Sequence, residues 1–116
     1  MNDRETTISQ LKETILDFAR ARGWDAGHNA LNLAVSINLE ASELLEIFQW
    51  FGQAEADRAA RETDREHFLE ELADVMIYCI ELANAYDVDI AAAIEDKMAK
   101  NAKKYPAIQP DTEAIS

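Results

Sequence analysis

The stretch from Asn29 to Phe51, NALNLAVSINLEASELLEIFQWF, decides the fold, because it carries two sets of residues at one helical period. Leu33, Ile37, Leu44, Leu45, Ile47, Phe48 and Phe51 make its apolar surface. Asn32, Ser36, Glu40, Glu43 and Trp50 follow at steps of 4, 4, 3 and 7, which keeps them on another face. Asn29 is placed to cap this helix and Gly52 to stop it near Phe51. Downstream the pattern returns. Thr63 and Glu66 have capping-box spacing, and a helix follows to about Tyr86 with Phe68, Leu69, Leu72, Val75, Met76 and Ile80 as its apolar residues. Its polar stripe is His67, Glu71, Asp74, Tyr78 and Glu81.

Two further helices flank this pair. The first runs from about Thr7 to Arg22, with Thr7 and Gln10 as a capping box, Gly23 as its stop and Ile8, Leu11, Ile15 and Phe18 along one face. The last starts at Asp89 and reaches Lys103 or Lys104, where Tyr105-Pro106 ends it. Trp24 to His28 is a short connection, and Gln53 to Glu62 suits either a short helix or a frayed connector. Four helices with short connections predict an all-α chain folded as a four-helix bundle. The domain is read as 1–106, followed by a loose tail over 107–116.

Composition agrees and excludes several classes. With 116 residues, three Gly and two Pro, the chain suits one helical domain. A net charge of −12, without a basic face upstream of the tail, argues against binding a nucleic-acid polymer. No run approaches the ~20 apolar residues of a membrane span. Met1 to Gln10 has no apolar signal region, and the single Cys79 sits in an apolar run where a buried, inert thiol is expected. These features predict a cytoplasmic protein.

The acidic pairs carry the chemistry. Glu40/Glu43 and Glu71/Asp74 are each i,i+3 neighbours, roughly 5–6 Å apart at Cβ. One such pair alone is usually a solvated face. Here both helices are otherwise apolar, and a Trp on a solvated acidic face would be odd. If the stripes face each other, four carboxylates converge, and a cation must offset their repulsion and desolvation. Oxygen ligands without His or Cys select Mg²⁺, with Mn²⁺ as a substitute, and Mg²⁺ normally shares its shell with substrate phosphates.

These residues resemble the MazG-like nucleotide pyrophosphohydrolases of the all-α NTP pyrophosphatase superfamily, and within it the dCTP-pyrophosphatase branch. The likeness rests on Glu40-Ala-Ser-Glu43 and Glu71-Leu-Ala-Asp74, on Asn32-Leu33 and Phe48-Gln49-Trp50, on Trp24 and His28, and on Lys97, Asn101, Lys104, Tyr105 and Pro106. It spans about Ile8 to Pro106. Leu39 stands where many members have a further Glu, and Ala41-Ser42 replaces a pair that often contains Gly.

The resemblance implies Mg²⁺-dependent hydrolysis of (deoxy)nucleoside triphosphates to monophosphate and pyrophosphate, with dCTP or modified pyrimidine dNTPs as substrates. Glu40, Glu43, Glu71 and Asp74 would hold the metal, and Glu40 or Glu43 would activate water. Trp24 and Trp50 would stack on the base; the alternative is plain core. His28 would lie near the base or merely cap a helix, and Asn32 would read base or sugar or be an ordinary helix-terminal group. Lys97, Asn101 and Tyr105 would contact the triphosphate or only the helix dipole. The resemblance also implies oligomers, a homotetramer first and a dimer second, with pockets completed by neighbouring chains. A non-catalytic helical nucleotide- or partner-binding module is the alternative function. A di-iron bundle is disfavoured, since neither pair has the Glu-x-x-His form.

Overall fold

The computed structural model describes residues 1–108, and within them every regular element is helical. Helix α1 (Ile8–Ala21) starts at the predicted box. The Gln10 N–H donates to Thr7 Oγ1 at 3.1 Å, and the Thr7 N–H donates to Gln10 Oε1 at 2.8 Å. It stops where Gly23 adopts φ +69°, a left-handed conformation that glycine enters without a Cβ clash. One 3₁₀ turn (Asp25–Gly27) leads to α2 (Ala30–Phe48), capped by Asn29 Oδ1 accepting from the Asn32 N–H at 2.8 Å. The connector that the sequence left open is helical: α3 (Gln53–Arg58) continues into a π-helical turn (Ala59–Thr63). Then come α4 (Arg65–Ala85) and α5 (Ile90–Lys104), the latter capped by Asp89 Oδ1 accepting from the Ala92 N–H at 2.9 Å.

Helices α2 and α4 form the centre and run antiparallel. Phe48 meets Phe68 edge to face at one end, with ring centroids 5.9 Å apart, while His28, just before α2, faces Glu81 at the other. Between them lie the buried Leu33 and Ile80. Helix α1 packs on α4, and Asn84 Nδ2 donates to the Lys12 carbonyl at 3.0 Å. Lys12 Nζ donates to the Val88 carbonyl at 2.5 Å, which ties α1 to the α4–α5 turn. That turn passes through Asp87 at φ +52°, left-handed backbone that a non-glycine residue adopts at a cost. The Ala30 N–H donates to the Tyr86 hydroxyl at 2.7 Å, fixing the start of α2 to the end of α4.

Helix α5 projects from this three-helix body and is solvent-exposed along nearly its whole length. The molecule extends over 62 × 36 × 31 Å, with a radius of gyration of 18.4 Å. A compact chain of this length would have a radius of about 13 Å. Rows of apolar side chains are left open: Leu31, Val35 and Leu39 on α2, Leu69, Leu72 and Met76 on α4, Ile94 and Met98 on α5.

Several local expectations change. Helix α2 ends at Phe48, not near Phe51, because the Phe51 N–H closes a turn on the Phe48 carbonyl at 2.9 Å and Gly52 is extended to begin α3. The Thr63–Glu66 box is absent, since Thr63 is wound into the π turn and Asp64 precedes α4 without a side-chain cap bond. Cys79 is exposed rather than buried. It falls at helical spacing with Leu72 and Met76, on a side of α4 that neither α1 nor α2 covers. No helix among the described residues is long and apolar enough to cross a membrane. The tail expected over 107–116 lies, from residue 109 onward, outside the described residues.

Candidate functional site

The antiparallel pairing of α2 with α4 sets the two polar stripes against each other. Carboxylate oxygens of Glu40, Glu43 and Glu71 lie within 4.8 Å of one another. Asp74 stands next to this group, close enough for its charge to act on Glu40 and Glu71, but outside that tight set. Glu40 and Glu71 are half-buried and Glu43 is exposed, so the cluster opens to solvent on one side. Glu46 and Glu70, the neighbouring acids, are exposed.

The electrostatics are those of a site short of positive charge. Burial, contact with Glu43 and the charges of Glu43, Asp74 and Glu71 push the Glu40 carboxyl up to about 7. Glu71 is raised first by burial and then by Glu43 and Asp74, while His67, with Nε2 3.3 Å from Glu71 Oε1, works in the other direction. Burial and the carboxylates of Glu40 and Glu81 also hold the Tyr78 hydroxyl above its usual range. Glu40 Oε2 and Glu71 Oε2 are buried without a hydrogen-bond partner. Two orphaned carboxylate oxygens inside an acidic group are costly unless a cation or shared protons satisfy them. An all-oxygen donor set of this size suits a hard divalent ion.

From Asp74, beside this cluster, a cleft of about 880 Å³ runs along the α2–α4 seam towards the 3₁₀ turn. Asp74, Tyr78 and Glu81 of α4 and Asn32 and Ser36 of α2 supply its polar wall. Ile15 and Phe18 of α1, with Trp24, Leu33 and Ile77, supply the apolar one. Trp24 packs edge-on against Phe18, with centroids 5.8 Å apart, yet stays 53 % exposed, so it is rim and not core. Arg22 stacks on the outer side of Phe18, 3.5 Å from the ring centroid. His28 reaches the cleft with Nε2 3.9 Å from Glu81 Oε2.

Seven of the expected residues therefore come together in one chain: the four acids, Trp24, His28 and Asn32. Four do not. Trp50 is 87 % exposed and lies beyond the end of α2, so it is neither core nor part of its own chain's cleft. Lys97, Asn101 and Tyr105 ride on and after the projecting α5, away from the cleft. Tyr105 donates its N–H to the Asn101 carbonyl at 2.8 Å, and Lys104 Nζ lies 5.4 Å from its ring, so part of this group closes the helix end. Sequence reasoning assigned no role to Glu81, although it lies one heptad beyond Asp74 on the same stripe. It is 7 % exposed and its carboxyl is raised by burial, an effect that His28 opposes.

Known proteins place the chain in context. It is 36 % identical over 103 residues to dCTP pyrophosphatase 1 of Rattus norvegicus, which covers 88 % of this chain and 61 % of that protein. The human protein of the same name is 35 % identical over 104 residues, with 89 % and 61 % covered. The chain thus spans about three-fifths of the length of these relatives. A crystal structure of a pyrophosphatase from Archaeoglobus fulgidus superposes with a TM-score of 0.81 at 36 % identity, covering 92 % of this chain and 99 % of that one. The all-α architecture is shared with that structure. Residues 35–114, which include both acidic pairs and α5, match the MazG-like family model, and the chain belongs to the MazG-like family.

Proposed function

We propose that this protein is a nucleoside triphosphate pyrophosphohydrolase, releasing monophosphate and pyrophosphate with a divalent cation, Mg²⁺ or in its place Mn²⁺, held by Glu40, Glu43, Glu71 and Asp74. The observation that carries this reading is the pair of orphaned oxygens on Glu40 and Glu71, set in an acidic cluster that adjoins, through Asp74, an aromatic-rimmed cleft. The names of the relatives support it. A bound cation offsets phosphate charge in the transition state and acidifies water. The chain's own residues do the rest. Glu40 or Glu43 accepts the proton of the attacking water, and Trp24 and His28 border the base end. The proposed substrate is dCTP or a modified pyrimidine deoxynucleotide, and the role is upkeep of the cytoplasmic nucleotide pool.

Trp50, Lys97, Asn101 and Tyr105 are read as completing the pocket of a neighbouring chain in a homotetramer, with a dimer as the second form. The exposed apolar rows on α2, α4 and α5 and the elongated outline support association. The domain is taken as residues 1–106. Incubating the purified protein with Mg²⁺ and a panel of canonical and modified triphosphates, with products separated, tests the reaction. Pyrophosphate plus monophosphate is expected; orthophosphate plus diphosphate would overturn it. Binding without any turnover would leave the non-catalytic module.

A further inference from the structure

The cleft contains a carboxylate that the acidic cluster does not use. Glu81 follows Asp74 by seven residues on α4, a rise of about 10 Å along the axis. That offset takes it away from the phosphate-facing acids and places it beside Trp24, His28 and Asn32, where a base would lie. It is 93 % buried by its 7 % exposure, and burying a carboxylate is costly unless something uses its lone pairs. His28 Nε2 faces it at 3.9 Å, beyond hydrogen-bond reach. The acceptor capacity of Glu81 is therefore still available to a molecule in the cleft.

We infer that Glu81 reads the base: its carboxylate accepts a hydrogen bond from an exocyclic amine, so that 4-amino pyrimidines are taken and 4-oxo pyrimidines refused. This rests on the proposed nucleotide site and adds to it the residue that sets base choice. The physical reason is polarity. At position 4 an amine brings a donor to the carboxylate, whereas a carbonyl brings lone pairs against lone pairs beside a largely buried acid. Sites built to bind a donor reject an analogue lacking it far more strongly than apolar pockets reject a change of shape.

The test compares two matched pairs, dCTP with dUTP and 5-methyl-dCTP with dTTP, since each pair differs only in the C4 substituent and the N3 proton that goes with it. For the unaltered protein kcat/KM should favour the amino member of both pairs by at least about tenfold, the size of one good base contact. Glu81→Gln keeps the shape but presents an amide that donates as well as accepts. It should bring both ratios to within about threefold, mainly by raising turnover of the oxo members. A purely structural Glu81 would lower all four values together and leave the ratios unchanged, which would overturn the inference. If Glu81→Gln fails to fold, thermal shifts of the unaltered protein by dCMP and dUMP decide, and equal shifts count against it. Efficient hydrolysis of both members of each pair by the unaltered protein also refutes base reading while sparing the enzyme assignment. Failure to hydrolyse any triphosphate would instead remove the nucleotide site itself.

Discussion

Glu40 shows what a single residue reports. An acid whose pKa rises from 4.5 to about 7 on folding binds a proton more tightly in the native state. Its contribution to stability is therefore full below pH 4.5, falls as pH rises towards 7, and is absent above that. Metal-free protein should lose thermal stability across this window. Glu40→Gln, which keeps the shape and needs no proton, should gain on it steadily over the same range. Melting curves in EDTA at several pH values measure this, and a pH-independent difference between the two would count against the assignment. Glu43→Gln and Asp74→Asn should each abolish turnover while leaving the helical circular dichroism intact. Wild-type rates from either purified variant would remove that residue from the site. Both should melt higher than the unaltered protein without metal, because each removes a charge from a crowded set.

At the level of elements, the seam between α2 and α4 holds the acidic cluster and the cleft, and α5 stays apart from them. Trp50 and α5 thus give a clean separation of function from folding. Trp50→Ala should change the melting temperature little, since an exposed side chain away from buried partners contributes within about 0.5 kcal/mol. Its KM should rise, because base stacking contributes about 1–3 kcal/mol per base. Unchanged KM would show that Trp50 does not touch substrate. Lys97→Ala should behave alike, with a higher KM and an unaltered fold, and steady-state kinetics beside calorimetry separates the two effects.

For the whole molecule, stability and catalysis should depend on what binds and what assembles. Mg²⁺ with nucleotide should raise the melting temperature, because ligands that bind only the folded state stabilise it. EDTA should stop turnover, and activity that survives exhaustive chelation would refute the metal. Among the described residues, fully buried side chains are few, with Leu33 the largest, and apolar rows lie open on three helices. Light scattering at assay concentration should therefore show an oligomer, and a fully active monomer would refute the shared pocket. Mixed oligomers of Glu43→Gln with Trp50→Ala chains should regain pockets with the unaltered KM, which neither variant has alone, if pockets cross the interface.

By itself the sequence determined the helical class, the caps at Thr7, Asn29 and Asp89, and the two acidic pairs, because caps and 3.6-residue spacing are local properties of the chain. It also placed Glu81 on the acidic stripe of α4. What it did not determine was which side of each helix a neighbour covers. Apolar residues surround much of α4, so the period alone suited a buried Cys79 as well as an exposed one. Trp50 looked continuous with the polar stripe of α2 until a turn at Phe48 and an extended Gly52 took it off the helix. Only the tertiary packing decided that Glu40 and Glu71 are left with unpaired oxygens, that Glu81 is buried beside His28, and that α5 stands away from its own cleft. The physical reason is that burial and desolvation arise from contacts between segments distant in sequence, which a helical period does not encode.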